Sequence, residues 1–368
     1  MSNPQQHNWD SLAAPAKPVV WEYGYFINGQ ANGGTREKLI DLVQRGTELS
    51  FVWTPETPEP VSPERVPFLL NAFRINLRRQ ARNAIFIGAA LIAFGVVLAV
   101  LLEEWSLVYR NFLSVIGGVS VIEGIWRYAR SRRYSLEDAA SDASTGRFTE
   151  WIKKKNLSGY TVTLAACIVV VTAAQIFPDD AIKSAGLVKP AVRSGEIWRL
   201  FTATLMHVNF THFWLNFLAL LHFSRIIEQT VQRAYVPLVF VLTAPLGSIF
   251  SVLFYPNTTS IGASGGLMGL LGFITMAAYF DKTRYPSKYV RQMIEAIILV
   301  GLFGLVGFAF VDNAGHFGGL VGGLILGWLF LRKNELVKTK EKLLELGGAA
   351  ALLALGVISA IAVYRMMV

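Results

Sequence analysis

The chain has 368 residues, 53% of them hydrophobic and 16% Asp, Glu, Lys or Arg, against the roughly 25% charged that soluble domains carry. A composition this apolar excludes a water-soluble globular protein, and the single cysteine, Cys167, excludes a disulfide framework and a cysteine-rich zinc cage. The net charge of +9 falls in short Lys/Arg clusters beside long apolar runs, the pattern of the positive-inside rule rather than of a nucleic-acid-binding surface.

The first 80 residues are polar, lack the apolar core of a signal peptide, and read as a cytosolic segment. Within them YFINGQANGGTREKLIDLVQRGTELSFVW, residues 25–53, predicts a short strand, an Asn-Gly turn, a helix begun at Thr35 and a further strand. With its GQ, small-residue turn, ExL helix and terminal VW, the stretch resembles the GYF-like bacterial module over about 21–60. That resemblance implies a small soluble α+β domain and a cytosolic partner for it. The same pattern also fits an ordinary small α+β domain.

Uncharged apolar stretches of about 18 or more residues, long enough to cross a roughly 30 Å hydrocarbon core, run over 84–102, 156–178, 200–224, 313–331 and 347–364. The run 234–280 is too long for one helix and is broken by the turn-rich YPNTTSIGA at 255–263, so it predicts two. Stretches 107–126 and 292–311 carry Arg110, Glu123 and Glu295, charges that a spanning helix tolerates by snorkelling. About nine spans place the basic clusters 74–82, 127–133, 153–155, Arg225 with Arg233, 282–291 and 332–342 on one side of the membrane. Glu103, Glu104, Asp179, Asp180 and Asp312 then fall on the other, and the N-terminus is expected in the cytoplasm. The expected organisation is a cytosolic domain, 1–80; a transmembrane helix pair, 81–135; a cytosolic linker, 136–157; a helical core, 158–333; and a linker with an extra span, 334–368.

Polar groups inside a membrane carry a desolvation cost and default to a functional reading. Four of the five histidines fall in or near the predicted spans. His212 and Asn216, four apart, share one helix face. Ser264 lies in GASGG at the extracytoplasmic start of one helix, and His316 lies in NAGHFGG near the start of another that begins on the same side, so their depths match. A serine and a histidine react as a pair only within hydrogen-bond reach. Gly265, Gly269 and Gly272 on one helix, with Gly315, Gly319, Gly323 and Gly327 on the other, are small-residue faces that let membrane helices approach that closely. GASGG also fits the GxSxG nucleophile elbow, but the strand and sheet of that motif are missing. A serine among glycines is by itself more often a packing residue.

With Trp198 and Arg199, HVNFTHFWLN at 207–216, GASG around Ser264 and AGH followed by GLVGG at 315–323, the chain resembles the rhomboid intramembrane serine proteases over roughly 159–331. The resemblance implies an all-α polytopic membrane protein with a six-helix core, here with two extra N-terminal spans and one extra C-terminal span. It implies an endopeptidase that cuts transmembrane segments of membrane proteins near the extracytoplasmic face. Carried over by motif, Ser264 is the nucleophile and His316 the general base and later acid, without an aspartate. His212, Asn216 and the Ser264 backbone N–H form the oxyanion hole, Trp198 and Arg199 close the loop 179–199, and Gly262, Gly265, Gly319 and Gly323 shape the site. One departure is Met268, four residues past the serine, where many rhomboids place an aromatic ring against the catalytic histidine; a thioether orients the ring less strictly. His207 and Asn209 read as structural. No cofactor, metal or nucleic acid is expected, and the partners are membrane-protein substrates and the bilayer of, by expectation, a bacterial inner membrane. A metalloprotease would need HExxH, and no histidine here precedes a glutamate. The remaining rival is a non-catalytic rhomboid relative that binds or routes membrane proteins.

Overall fold

The structure, a computed structural model, describes residues 21–103, 112–307, 311–332 and 338–368. The first 20 residues of the expected cytosolic domain, the opening of the expected 107–126 span, 308–310 and the 333–337 junction of core and linker lie outside the described residues. The chain divides into two compact units, one of 1–149, 286–288 and 298–310, the other of 150–285, 289–297 and 311–368.

In the first unit a hairpin of β1 (Tyr23–Ile27) and β2 (Gln30–Gly34) turns at Asn28 and Gly29, both at positive φ, as a two-residue Asn-Gly turn requires. Thr35 caps α1 (Arg36–Gln44) by accepting from the Lys38 N–H, and β3 (Phe51–Trp53) returns beside β1, giving an antiparallel sheet of order β2-β1-β3. Tyr25, Leu39, Val43, Val52, Val66 and Leu69 form its core. From there α2 (Leu70–Leu101) packs along α3 (Phe112–Ser131) through small residues: a Cβ built on Gly88 would fall 2.5 Å from the Gly117 carbonyl oxygen, and one on Gly124 2.7 Å from that of Ala81. Helix α2 begins well before the predicted start at 84. The basic run remains helical because its arginines find partners across the pair: Arg74 donates to the Tyr134 carbonyl at 2.9 Å and Arg78 to the Ser131 hydroxyl at 3.2 Å.

Helix α4 (Leu136–Lys153) holds residues 286–288. Ser141 donates to the Ser287 carbonyl at 2.7 Å, and Lys288 pairs with Glu137 at 2.9 Å and Asp138 at 3.2 Å. Burial works to raise the Asp138 pKa, but hydrogen bonds from the Ser135 hydroxyl and backbone N–H and from Lys288 prevail and hold it at about 2.

The second unit carries α5 (Gly159–Ala174), the short α6 (Ala181–Ala185), β4 (Leu187–Val188), α7 (Lys189–Arg193) and α8 (Arg199–Thr202). They are followed by α9 (Phe210–Thr230), α10 (Tyr235–Phe254), β5 (Thr259–Ser260), α11 (Ser264–Phe280), α13 (Asn313–Leu331) and α14 (Lys338–Met367); α12 (Tyr289–Val306) divides between the units. Glu228 near the end of α9 accepts from the Ser158 N–H and the Ser158 and Thr161 hydroxyls, tying α9 to the start of α5. The expected single span at 200–224 is instead α8, a 3-10 turn at Ala203–Leu205 and then α9. The Asn209 side chain caps α9 by accepting from the His212 N–H at 2.8 Å, which places the helix start ten residues later than expected. Among the described residues four helical stretches are long and apolar enough to cross a membrane, Pro67–Leu101, Tyr235–Phe254, Asn313–Leu331 and Glu341–Met367, with α5 and α11 apolar but shorter. The chain is an integral membrane protein of all-α polytopic architecture with a small α+β domain before it.

Candidate active site

The loop between α10 and α11 is pinned before it delivers Ser264. Leu187 and Val188 pair with Ser260 and Thr259, the Gly262 N–H donates to the Ala203 carbonyl at 2.9 Å, and Ser264 then opens α11. Gly262 is needed twice. Its φ of +139° disfavours any L side chain, and a Cβ there would fall 2.7 Å from His212 Cε1, so the imidazole of α9 lies directly on the loop beside Ser264.

Glycines set the approach of α11 to α13. A Cβ on Gly319 would come within 1.9 Å of the Gly265 carbonyl oxygen, and one on Gly323 equally close to that of Gly269. Nearer the helix starts, the Gly315 carbonyl oxygen would lie 2.6 Å from a Cβ on Gly247 of α10 and 3.5 Å from one on Gly265. The three helices therefore touch backbone to backbone, and Ser264 and His316 occupy adjoining first turns of α11 and α13. His316 and His212 are within electrostatic reach of one another. No hydrogen bond joins Ser264 to His316 among the described residues. Met268, one turn beyond Ser264, is buried.

Asn216 is buried one turn beyond His212 and donates through Nδ2 to the His212 carbonyl at 2.8 Å. His207 lies in the segment before α9. Its N–H donates to Gln175 Oε1 at 3.0 Å, its carbonyl accepts from Gln175 Nε2, and its ring meets Thr172 Oγ1 at 3.1 Å and the His212 ring at a centroid separation of 5.1 Å. Arg199 holds the loop 179–199 closed: Nη1 donates to the Lys183 and Gly186 carbonyls at 2.9 and 2.8 Å, Nε pairs with Glu196 at 2.6 Å, and the guanidinium lies over the Trp198 ring at 4.5 Å.

Sequence reasoning passed over the far wall of the site. A cavity of about 40 Å³ opens beside Ser264, walled by Ala244, Gly247, Ser248 and Ser251 of α10, by Gly265, and by Asp312 at the start of α13. Asp312 caps α13, accepting from the Gly315 N–H at 2.9 Å, and also accepts from the Ser251 hydroxyl. The signal was present in the sequence as Asp three residues before a helical Gly, an N-cap pattern. Directly after β4, Lys189 is fully buried, with Nζ donating to Thr258 and lying 5.6 Å from the Tyr255 ring centroid. Burial lowers the Lys189 pKa, and the Asp312 carboxylate works against that fall.

Residues 194–333 match the family profile described as the Rhomboid domain. The chain is 32% identical over 148 residues to RHOMBOID-like protein 6, mitochondrial, of Arabidopsis thaliana, covering 40% of this chain and 48% of that protein. It is 33% identical over 136 residues to the rhomboid protease GluP of Bacillus subtilis, 36% of this chain and 26% of the relative. To the putative rhomboid protease YdcA of the same organism it is 28% identical over 145 residues, 39% of this chain and 72% of the relative. The chain thus spans about half or less of the length of the first two. Residues 194–333, with Ser264, His212 and His316 inside them, match the Rhomboid domain, and over that stretch the chain is similar to rhomboid proteases and rhomboid-like proteins.

Proposed function

We propose that the protein is an intramembrane serine endopeptidase that cuts membrane-protein substrates within or beside their transmembrane segments, near the extracytoplasmic face. The observation that carries this reading is the backbone contact of Gly319 with Gly265, which sets Ser264 and His316 on adjoining helix turns while the His212 ring lies against Gly262. His316 takes the hydroxyl proton as Ser264 Oγ bonds to the scissile carbonyl carbon. The oxyanion that forms is met by donors from His212, Asn216 and the Ser264 N–H. His316 then returns the proton to the leaving amine as the C–N bond breaks, and a water activated by His316 attacks the acyl-enzyme, breaking the bond to Ser264 Oγ, which takes the proton back as the carboxylic acid leaves. The basic clusters on the short loops support a cytoplasmic N-terminus and small domain in a bacterial inner membrane, where the domain would recruit a cytosolic partner or regulate the core.

Ser264→Ala and His316→Ala are each expected to reduce cleavage of a single-pass reporter by about 10⁴- to 10⁶-fold, the scale of losing a serine-protease nucleophile or base. A fluorophosphonate should label the wild type and not Ser264→Ala. Equal cleavage by wild type and either variant would overturn the Ser264 and His316 mechanism, and binding of the reporter without cleavage would support a non-catalytic membrane-protein binder.

A further inference from the structure

The cavity beside Ser264 is the place for the side chain of the residue whose carbonyl is attacked, because it opens next to the nucleophile. Its walls are unusual in two respects. Apart from Leu187, Thr204, Ile261 and Asp312 they are Gly, Ala and Ser, and the volume of about 40 Å³ suits a short side chain. They also include an acidic residue, Asp312, whose carboxylate accepts from Ser251, with the Ser260 hydroxyl 3.4 Å from that of Ser251. The Gly315 N–H and the Ser251 hydroxyl use two of the acceptor sites on Asp312, and a carboxylate offers about four.

We propose that Asp312 is a specificity-determining residue of the cavity, selecting substrates with a small hydrogen-bond donor, serine before alanine, at the position N-terminal to the scissile bond. The inference rests on the reading of Ser264 as the nucleophile. An acceptor-only group in the wall of a small pocket gains a charge-assisted hydrogen bond from a serine hydroxyl and none from a methyl group. Two features turn the preference away from a cationic side chain. A cavity of about 40 Å³ is small for the stem of a lysine or arginine, and a buried cation, Lys189, already lies within electrostatic reach of Asp312. Valine brings bulk and no donor, and so ranks below both.

The test is a set of otherwise identical single-pass reporters with Ser, Ala, Val or Lys at that position, cleaved in detergent by the full chain and compared by kcat/KM. Serine is expected to exceed alanine by about ten-fold, the lower range for one hydrogen bond to a charged group in competition with water. Asp312→Thr, which keeps an N-cap oxygen but withdraws the carboxylate, and Asp312→Ala should both bring the serine-to-alanine ratio close to one. Their absolute rates fall as well, since α13 loses part or all of its cap, but a purely structural role for Asp312 would leave the ratio untouched. A wild-type ratio at or below one, a preference for lysine, or the same ratio in wild type and variants overturns the proposal while leaving the protease reading intact. The wild-type series decides the matter even where neither variant folds. If the wild type cleaves none of the four, the protease reading fails and this inference fails with it.

Discussion

Gly262 carries two constraints at once, a positive φ and an imidazole where its Cβ would be, so its neighbours His212 and Ser264 cannot be positioned independently. His212 is held in turn from both sides of its own backbone: the Asn209 side chain accepts from its N–H, and Asn216 donates to its carbonyl. This makes Asn216 both a support of His212 and a donor candidate with a second N–H to offer. Asn216→Ala is expected to lower kcat by up to 10²- to 10³-fold, the effect of losing one oxyanion donor, with KM little changed and His212→Ala moving the same way. Steady-state kinetics on the reporter measure this, and unchanged turnover in both variants would move the oxyanion hole elsewhere.

Among the elements, the α11–α13 contact leaves no tolerance for a side chain. Gly319→Ala would drive a methyl group into the Gly265 carbonyl oxygen, so the helices must part at the turn where Ser264 and His316 adjoin. We expect a loss of stability of about 1–3 kcal/mol or more, typical of overpacking, together with loss of fluorophosphonate labelling. Gly301, with open space where its Cβ would be, is the control. A different device operates at α4, where Asp138 and Glu137 hold Lys288. The Asp138 pKa of about 2 lies below the ordinary carboxylate value of 3.8, so its contribution is fully present above about pH 4 and is lost as pH falls towards 2. Hydrogen exchange in segment 286–288 should therefore rise over that acid window in the wild type. In Asp138→Asn the window should vanish, and an unaltered acid profile in that variant would remove Asp138 as its cause.

At the scale of the whole molecule the small N-terminal sheet has its own core of Tyr25, Leu39, Val43 and Val52, and Leu187, Val192, Leu200 and Ala203 form a separate cluster in the second unit. Under the proposed topology the small domain lies across the bilayer from the catalytic face and cannot reach the scissile bond. Removing residues 1–64 should leave cleavage of a generic reporter in detergent intact and alter only cellular substrate choice, abundance or partner binding. An inactive but folded truncation would mean that the domain supports the core or that the topology is inverted. Labelling of Asn28→Cys against Asn257→Cys in intact cells, with Cys167 replaced, separates these two outcomes. The C-terminal helix is expected to matter more for stability than for chemistry. Glu345 accepts from Tyr160 at 2.6 Å and pairs with Arg233 at 3.3 Å at one end of it, and the Arg365 guanidinium lies 4.8 Å from the Trp198 ring centroid at the other.

Sequence by itself determined whatever depends on local chemistry and hydropathy. The α13 limits at Asn313 and Leu331, the split of 234–280 into α10 and α11, the Thr35 cap and the Asn-Gly hairpin all follow from apolar length or turn residues that act within a few positions. The glycine spacing likewise announced which faces of α11 and α13 could meet. Tertiary structure decided what depends on distant partners. Residues 200–209 are uncharged enough to extend a span, yet the chain breaks there. Arg199 is occupied with carbonyls of 183 and 186, His207 is clamped by Gln175, and Asn209 caps the next helix. The basic run at 74–82 reads as a flank but continues a helix, because its charges are satisfied by residues about 50 to 60 positions away. The Ser251 and Asp312 wall of the cavity belongs to the same class. Two polar residues 61 apart on different helices form one surface only when the glycine contacts have brought α10, α11 and α13 together.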